Sequence, residues 1–253
     1  DGDDSVPFTI QNIGPEAAKK LEIDLKLEKA LSEVSAEKAK ARLDEFLREN
    51  PDHPRAGEAR IAIAEAALAS APPDLSLAQA QLDTLGASAE VLPDTMGARL
   101  ALAKLRLLDL SGKIEETVAL AGKIAEEFPD SSTSLEASLV LGKTLFRSGQ
   151  YNKARLRLEK LASSEPGTQR SQAALLLAAR SAALGATAQS REEALALFDR
   201  TMAIDGSLKE LALFEKARLQ IDLNRLPAAI ESLNAAYAEK SPDDPSRLPT
   251  GLL

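Results

Sequence analysis

Five blocks rich in small and aliphatic residues recur at a nearly constant interval along most of this chain. They begin at Ala59, Ala98, Ala137, Ala174 and Ala212, so successive blocks start 39, 39, 37 and 38 residues apart. An interval of this length fits one helix pair per repeat, and a single pair cannot bury its own apolar face. The spacing therefore predicts a stack of repeated helix pairs that presents one long surface.

The composition favours helices along the whole chain. Its 253 residues are 44% hydrophobic but only 3% aromatic, which is typical of packed Ala/Leu-rich helices rather than of a large sheet. The formal net charge of -8 opposes binding to nucleic acid or to an anionic membrane surface. The chain has no cysteine, which excludes disulfides and thiolate sites. The most apolar windows, residues 61–71 and 173–186, are shorter than the ~20 residues that span a bilayer, so we expect no transmembrane segment.

A second pattern marks the helix that closes each repeat. Ala154, Leu158 and Leu161 follow one another at the spacing of a single helical stripe. Proline cannot continue a helix and restricts the residue before it, so prolines after such stripes predict the joints between repeats. These prolines are Pro51, Pro129 and Pro166. Within repeats, Ser111-Gly112 and Ser148-Gly149 predict tight turns, because glycine accepts the left-handed conformation at a helix end.

The segment 134–168 resembles the tetratricopeptide repeat, whose signature combines Leu-Gly, a small Ala, bulky positions and a final Pro. The matching residues are Leu141-Gly142, Ala154, Pro166 and the turn Gly149-Gln150-Tyr151-Asn152-Lys153. The segment departs from the signature where Ser138, Leu145 and Leu158 replace large aromatic residues. The other repeats are more degenerate versions of bacterial type. The resemblance implies an all-α α-solenoid, a right-handed superhelix of about six antiparallel helix pairs.

The repeats divide the chain into an expected domain and two flanking segments. The repeat domain is predicted over residues 15–241, with units that begin near residues 15, 55, 95, 133, 170 and 208. An extended lead-in is expected at residues 1–14 and a C-terminal tail at 242–253. Because the chain begins with Asp1 rather than Met, we interpret it as a processed or excised piece. Together with the absent cysteines and the family likeness, this start favours an exported, periplasmic or cell-envelope protein of a bacterium.

In tetratricopeptide arrays, the first helix of each repeat lines the concave face, and the partner usually binds to these first helices. The resemblance implies the same here. Four successive repeats carry a cation directly after the small contact residue: Lys104, Lys143, Arg180 and Arg218. Residues three positions later share that helical face, among them Leu107, Phe146 and Ile221. This pattern predicts an apolar groove with a basic ladder that binds an acidic peptide or segment of a protein partner. Alternatively, the four cations pair with carboxylates of adjacent helices and contribute little energy.

No catalytic, cofactor-binding or metal-binding residue is predicted. His53 is the single histidine and lies in the polar loop 50–54, where no triad or zinc set can be assembled around it without cysteine or a second histidine. The run that ends in Gly142-Lys143-Thr144 resembles a phosphate-binding loop. It falls inside a predicted helix, however, whose backbone N–H groups are already bonded.

Three functions remain open at this point. The leading hypothesis is a noncatalytic scaffold for protein–protein interaction that captures a partner segment in the basic groove. The alternative is a structural or assembly subunit of a bacterial cell-envelope complex that uses its convex face or its ends. The second alternative is a helical enzyme with a carboxylate site. A continuous positive groove would favour capture, whereas cations paired with neighbouring carboxylates would favour the assembly subunit.

Overall fold

The computed structural model describes residues 14–87, 94–129 and 131–239, and these residues form twelve α-helices and no strand. The helices are α1 Pro15–Leu31, α2 Ala36–Glu49, α3 Ala56–Ala69, α4 Leu75–Ala87, α5 Asp94–Leu110, α6 Ile114–Glu127, α7 Ser132–Arg147, α8 Tyr151–Ser164, α9 Gln169–Ala183, α10 Ala188–Met202, α11 Lys209–Asp222 and α12 Leu226–Glu239. Residues 1–13 of the predicted lead-in and the predicted tail at 242–253 lie outside the described residues.

Local sequence signals set where these helices begin and end. Gly112 and Gly149 have φ angles of 73° and 75°, which confirms the predicted left-handed glycine turns. The Thr168 hydroxyl accepts a hydrogen bond from the Ser171 N–H at 3.0 Å and caps the start of α9. Helices α2, α6 and α8 each end two residues before one of the predicted joint prolines. Pattern and local geometry therefore agree at these joints.

Two compact units make up the chain: unit 1 is Asp1–Leu107 and unit 2 is Leu108–Leu253. In unit 1, two apolar clusters share helix α3. One cluster packs Phe46 of α2 against Ile63 of α3, and the other packs Ile61 of α3 with Leu82 of α4 and Leu107 of α5. Helix α3 is therefore apolar on two sides, as expected of a helix with neighbours on both.

In unit 2 the helices from α6 to α12 pack in chain order, each against the next. Helices α7 and α8 approach closely where Gly142, one of the small residues of the repeat blocks, faces the Leu158 side chain. A Cβ atom built on Gly142 would overlap the Cγ and Cδ atoms of Leu158. Stacked helix pairs with consecutive packing confirm the all-α helical-repeat fold. The boundaries of six units stay a prediction, as does the hand of the superhelix.

The helices also bear on the question of membrane insertion. Within the stretches 14–87, 94–129 and 131–239, no helix combines the length and the apolarity that crossing a bilayer demands.

Candidate functional site

The seven residues of the predicted groove are divided between the two units. Lys104 and Leu107 lie on α5 in unit 1, where Lys104 is half-buried and Leu107 is only 5% exposed within the apolar cluster. The other five lie on first helices of unit 2: Lys143 and Phe146 on α7, Arg180 on α9, and Arg218 and Ile221 on α11. Leu107 therefore belongs to the core of unit 1 and is not accessible to a partner. Ile221, by contrast, is 48% exposed.

Arg180 is engaged by its own chain. Its Nε donates to both carboxylate oxygens of Glu215 on α11, at 2.8 Å to Oε2 and 2.9 Å to Oε1, and its Nη2 also donates to Oε1. These hydrogen bonds raise the pKa of Arg180 above its ordinary value, against the opposing effect of partial burial. The positive charge of Arg180 is thus balanced by the Glu215 carboxylate of the neighbouring first helix.

The remaining cations of the predicted ladder differ from Arg180. Lys143 and Arg218 are exposed, and neither has an ion-pair partner among the residues that the structure describes. Lys104 also has no such partner within the described part of unit 1. Of the predicted ladder in unit 2, Lys143 on α7 and Arg218 on α11 are therefore unpaired within the described residues, while Arg180 of α9 is neutralised.

A cavity of about 280 Å³ opens beside the Arg180–Glu215 pair in unit 2. Apolar and charged side chains both line it: Phe146, Arg180, Ala183, Leu184, Phe198, Glu215, Arg218, Leu219 and Asp222. Phe198 is 1% exposed whereas Leu184 is 54% exposed, so the cavity has a buried apolar part and an accessible apolar rim. The Phe146 ring packs edge-on against Tyr151 with centroids 5.6 Å apart, which fixes its orientation.

Charged groups of both signs surround this cavity. Two guanidinium groups and two carboxylates line it, and Arg180 and Glu215 neutralise each other. Arg218 and Asp222 remain, both exposed and four residues apart on α11. The arrangement can hold an apolar side chain in the buried part and offer a hydrogen-bonding cation at the rim. It is therefore not a uniformly positive groove.

Arg–carboxylate ion pairs join successive first helices within each unit. Examples are the 2.6 Å contact between Arg99 Nη2 and Glu65 Oε2, in unit 1, and the 2.8 Å hydrogen bond between Arg180 Nε and Glu215 Oε2, in unit 2. Among the described residues, these pairs are Glu28–Arg55 at the start of α3, Glu58–Arg99, Glu65–Arg99, Asp109–Arg147, Glu136–Arg170 and Glu215–Arg180. Arg99, Arg147, Arg170 and Arg180 therefore link the first helices of neighbouring repeats.

Sequence reasoning placed Arg180 in the groove and gave pairing with carboxylates of adjacent helices as the alternative, which the structure shows for Arg180, but it did not identify the partner residues. The signal was present, because the paired residues stand about one repeat apart: 34 residues for Glu65 and Arg99, and 35 for Arg180 and Glu215. Opposite charges at that separation on equivalent helices face each other when repeats stack. A search for opposite charges one repeat length apart would have found them.

His53 anchors the loop between α2 and α3. Its Nδ1 accepts a hydrogen bond from the Arg55 N–H at 3.2 Å, and its ring packs edge-on against Phe46 with centroids 5.3 Å apart. Its Nε2 is buried without a hydrogen bond and lies 3.6 Å from Asp24 Oδ1. Over the described residues, no cluster of three or more His, Asp or Glu side chains could hold a metal ion. These contacts give His53 a packing role.

A comparison with protein families finds a match in the middle of the chain. Residues 110–179, which run from the end of α5 through most of α9, match the model of the tetratricopeptide repeat. The resemblance predicted from 134–168 is thus confirmed over a segment that contains it. The curated proteins include no match to this chain. Tetratricopeptide repeats generally mediate protein–protein interaction, and their all-α fold is typically noncatalytic.

Proposed function

We propose that this chain, whose residues 110–179 carry tetratricopeptide repeats, is a noncatalytic scaffold that binds a segment of a protein partner at the 280 Å³ cavity of unit 2. The observation that carries this proposal is the combination of accessible apolar side chains with an unpaired cation at one opening. Leu184 and Phe146 offer the apolar contact, and Arg218 offers the cation. Such a mixture of an apolar pocket and few polar groups is typical of peptide and ligand sites.

The chemistry of the partner follows from which cations are unpaired. An apolar side chain of the segment enters beside Phe146 and Leu184, and a carboxylate of the segment contacts Arg218. Lys143 precedes Phe146 by three residues on α7, so it lies on the same helical face and attracts a second carboxylate. Arg180 positions Glu215 and does not itself bind the segment. The partner is therefore an acidic segment with at least one large apolar residue.

An array of immobilised peptides tests this proposal with the whole chain as probe. The peptides are about 12 residues long, enough for three helical turns, and fall into four classes: apolar with acidic, apolar with basic, apolar with neutral polar, and acidic without apolar residues. We expect binders in the first class whose affinity falls by more than about tenfold in the Phe146→Ala and Arg218→Glu variants, as for a buried anchor in an interface. Arg48→Glu on α2 is the matched control, because Arg48 is also exposed and without an ion-pair partner among the described residues.

Two results would overturn the proposal. One is that no binder in the array depends on Phe146 or Arg218 while both variants keep the melting temperature of the wild type. The other is that Arg48→Glu weakens every binder as much as Arg218→Glu, which would mean that only total charge matters. A Phe146→Leu variant retains apolar volume and separates loss of the anchor from loss of folding.

A structural or assembly subunit of a bacterial cell-envelope complex is the second candidate, favoured by the Arg–carboxylate joints between first helices. If the first-helix cations stabilise the stack of repeats and bind no partner, contacts with other subunits are made by the convex face or the ends. This candidate predicts a stoichiometric complex that survives both Phe146→Ala and Arg218→Glu, measured by native mass spectrometry of the purified complex. A complex that dissociates in these variants would favour capture of a segment instead.

A further inference from the structure

The two sides of helix α8 differ in how their charged residues are satisfied. On one side, Arg155 Nη1 lies 2.7 Å from Glu159 and 3.5 Å from Glu193 of α10. The other side carries a stripe of three cations at i, i+4 and i+7: Lys153, Arg157 and Lys160. None of these three has a carboxylate within ion-pair distance in the described part of the chain; Lys153 donates only to the Gln150 side chain, at 3.0 Å.

Apolar side chains stand exposed beside this basic stripe. Leu156 of α8 is 55% exposed and Val118 of α6 is 38% exposed. Together with Leu141 and Leu145 of α7 they line an open cavity of about 400 Å³, whose polar lining consists of the three cations and Gln150. Among the described residues, no carboxylate lines this cavity. A large apolar side chain of a partner therefore finds apolar contacts here with positive charge on the rim.

A second cavity of about 190 Å³ adjoins the first, because Arg157 and Lys160 line both. It is rich in hydroxyl groups, and those of Ser134 and Ser138 on α7 make no hydrogen bond within the described chain. The equivalent position in the other repeat blocks holds larger residues: Arg60, Arg99, Leu175 and Leu213. The small Ser138 opens the space between α7 and α8 and leaves two free hydroxyls near two free cations.

We propose that these two cavities form one docking surface on α6, α7 and α8 for an acidic protein segment. The segment inserts a large apolar side chain between Val118 and Leu156. Its carboxylates contact Lys153 and Arg157, and one carboxylate reaches the hydroxyl-lined cavity beside Lys160. This α8 surface shares no lining residue with the 280 Å³ cavity that Phe146 lines (the Phe146 cavity), so it is a second interaction site and does not depend on the function proposed above.

Charge complementarity identifies the occupant. In a chain of net charge -8, three cations on one stripe that have no ion-pair partner among the described residues repel a basic partner and attract an acidic one. The stripe spans seven residues, or about 10 Å at 1.5 Å per residue. Three carboxylates on two turns of a partner helix, or on alternate residues of an extended segment, match that length. Each such contact is a charge-assisted hydrogen bond, which is stronger than a neutral one.

The same four classes of peptide test this surface with different variants. We expect a set of acidic-apolar peptides whose affinity falls by at least about tenfold, a difference of about 1.4 kcal/mol, in the triple variant K153E/R157E/K160E and in Leu156→Asp. Their affinity should fall as salt rises, because exposed charges are screened. The matched control is K19E/K38E/R48E in unit 1, which makes the same change in total charge at exposed cations. The Leu156→Ala and K153Q/R157Q/K160Q variants guard against loss of folding, and circular dichroism checks each protein.

Each of the following four results would contradict this proposal. If all acidic-apolar binders are lost in Arg218→Glu and none in the α8 variants, the α8 surface binds no peptide although the Phe146 cavity does. If acidic peptides without apolar residues bind as tightly, the attraction is electrostatic only. If wild type forms a dimer by analytical ultracentrifugation that Leu156→Asp dissociates, a second copy of the chain is the occupant. If the unit 1 control weakens binding equally, total charge and not this surface is responsible.

Discussion

Arg180 on α9 and Glu215 on α11 form a forked ion pair, with 2.8 and 2.9 Å between Arg180 Nε and the two carboxylate oxygens. The sequence predicted that Arg180 lies in a peptide-binding ladder, but this ion pair links it to the neighbouring repeat. Other Arg–carboxylate pairs link the first helices of neighbouring repeats as well, for example Glu65–Arg99 and Glu136–Arg170. In the function proposed above, the cations without such a pair are therefore the ones that contact a partner.

The free energy of the Arg180–Glu215 pair is expected to be small. Both groups keep contact with solvent, so a double-mutant cycle of Arg180→Ala and Glu215→Ala should give a coupling of about 0.5–1 kcal/mol, as for partly exposed pairs. Urea unfolding of the four proteins measures it. The coupling should shrink in high salt because exposed charges are screened. A coupling above about 3 kcal/mol would show instead that the pair is effectively buried.

Two glycines in neighbouring helices should respond to alanine with opposite signs. Gly142→Ala places a Cβ against Leu158 and is expected to destabilise the protein by about 1–3 kcal/mol, the usual cost of overpacking. Gly122→Ala in α6 meets no atom within 4 Å and should stabilise by about 0.5–1 kcal/mol, because alanine favours the helix. Denaturant titration of both variants tests the pair. Equal effects of the two substitutions would refute the close packing of α7 on α8.

Asp74 should give the stability of α4 a pH dependence. Its Oδ1 accepts the Leu77 N–H at 3.0 Å and the Ser76 hydroxyl at 2.8 Å, and these bonds lower the pKa of the carboxyl below its ordinary value of 3.8. Folding thus favours the carboxylate, so its stabilisation is complete above the ordinary pKa and is lost as pH falls through the lowered one.

The matched variant for this effect is Asp74→Asn, which keeps a capping oxygen but has no titrating group. Melting temperatures measured at several pH values should show wild type ahead of Asp74→Asn at neutral pH, with the difference disappearing in acid. A difference that stays constant from neutral pH down through the acid range would contradict the assigned cause.

His53 is expected to act through packing and its Nδ1 hydrogen bond. His53→Ala removes the edge contact with Phe46 and the acceptor for the Arg55 N–H, at a cost of about 1–2 kcal/mol. Asp24→Asn should cost less than ~0.5 kcal/mol, because the 3.6 Å approach to Nε2 is not a hydrogen bond. Chemical denaturation compares the two. A larger effect of Asp24→Asn would mean that an ion pair holds this loop.

Local signals were enough to predict much of this fold. The glycine turns at Gly112 and Gly149, the joints at prolines and the small residue at Gly142 each depend on the chain within a few residues or on one repeated neighbour. The helical repeat follows from them, because a helix pair with one apolar face must stack. These features could be read from spacing alone.

The candidate site was harder to predict because residues three positions apart on a helix do not point in the same direction. A residue three positions after another is rotated by about 300°, or 60° to one side, so the same rule placed Leu107 in a core and Ile221 on the surface. The Arg180–Glu215 pair needs the register of two stacked helices, which no single helix contains. To predict the cavity beside Ser138, one must know that the larger residues at the equivalent position of the other repeat blocks would fill this space.

The most direct test of the central claim is methyl NMR of the chain with an acidic-apolar peptide that binds it. The experiment uses the K153E/R157E/K160E background, so that the α8 surface makes no contribution. We expect peptide addition to shift the methyl signals of Leu184 and Leu219 in the Phe146 cavity and to leave those of Leu82 in the core of unit 1 unchanged. Shifts that avoid Leu184 and Leu219 at saturating peptide would contradict binding at this cavity.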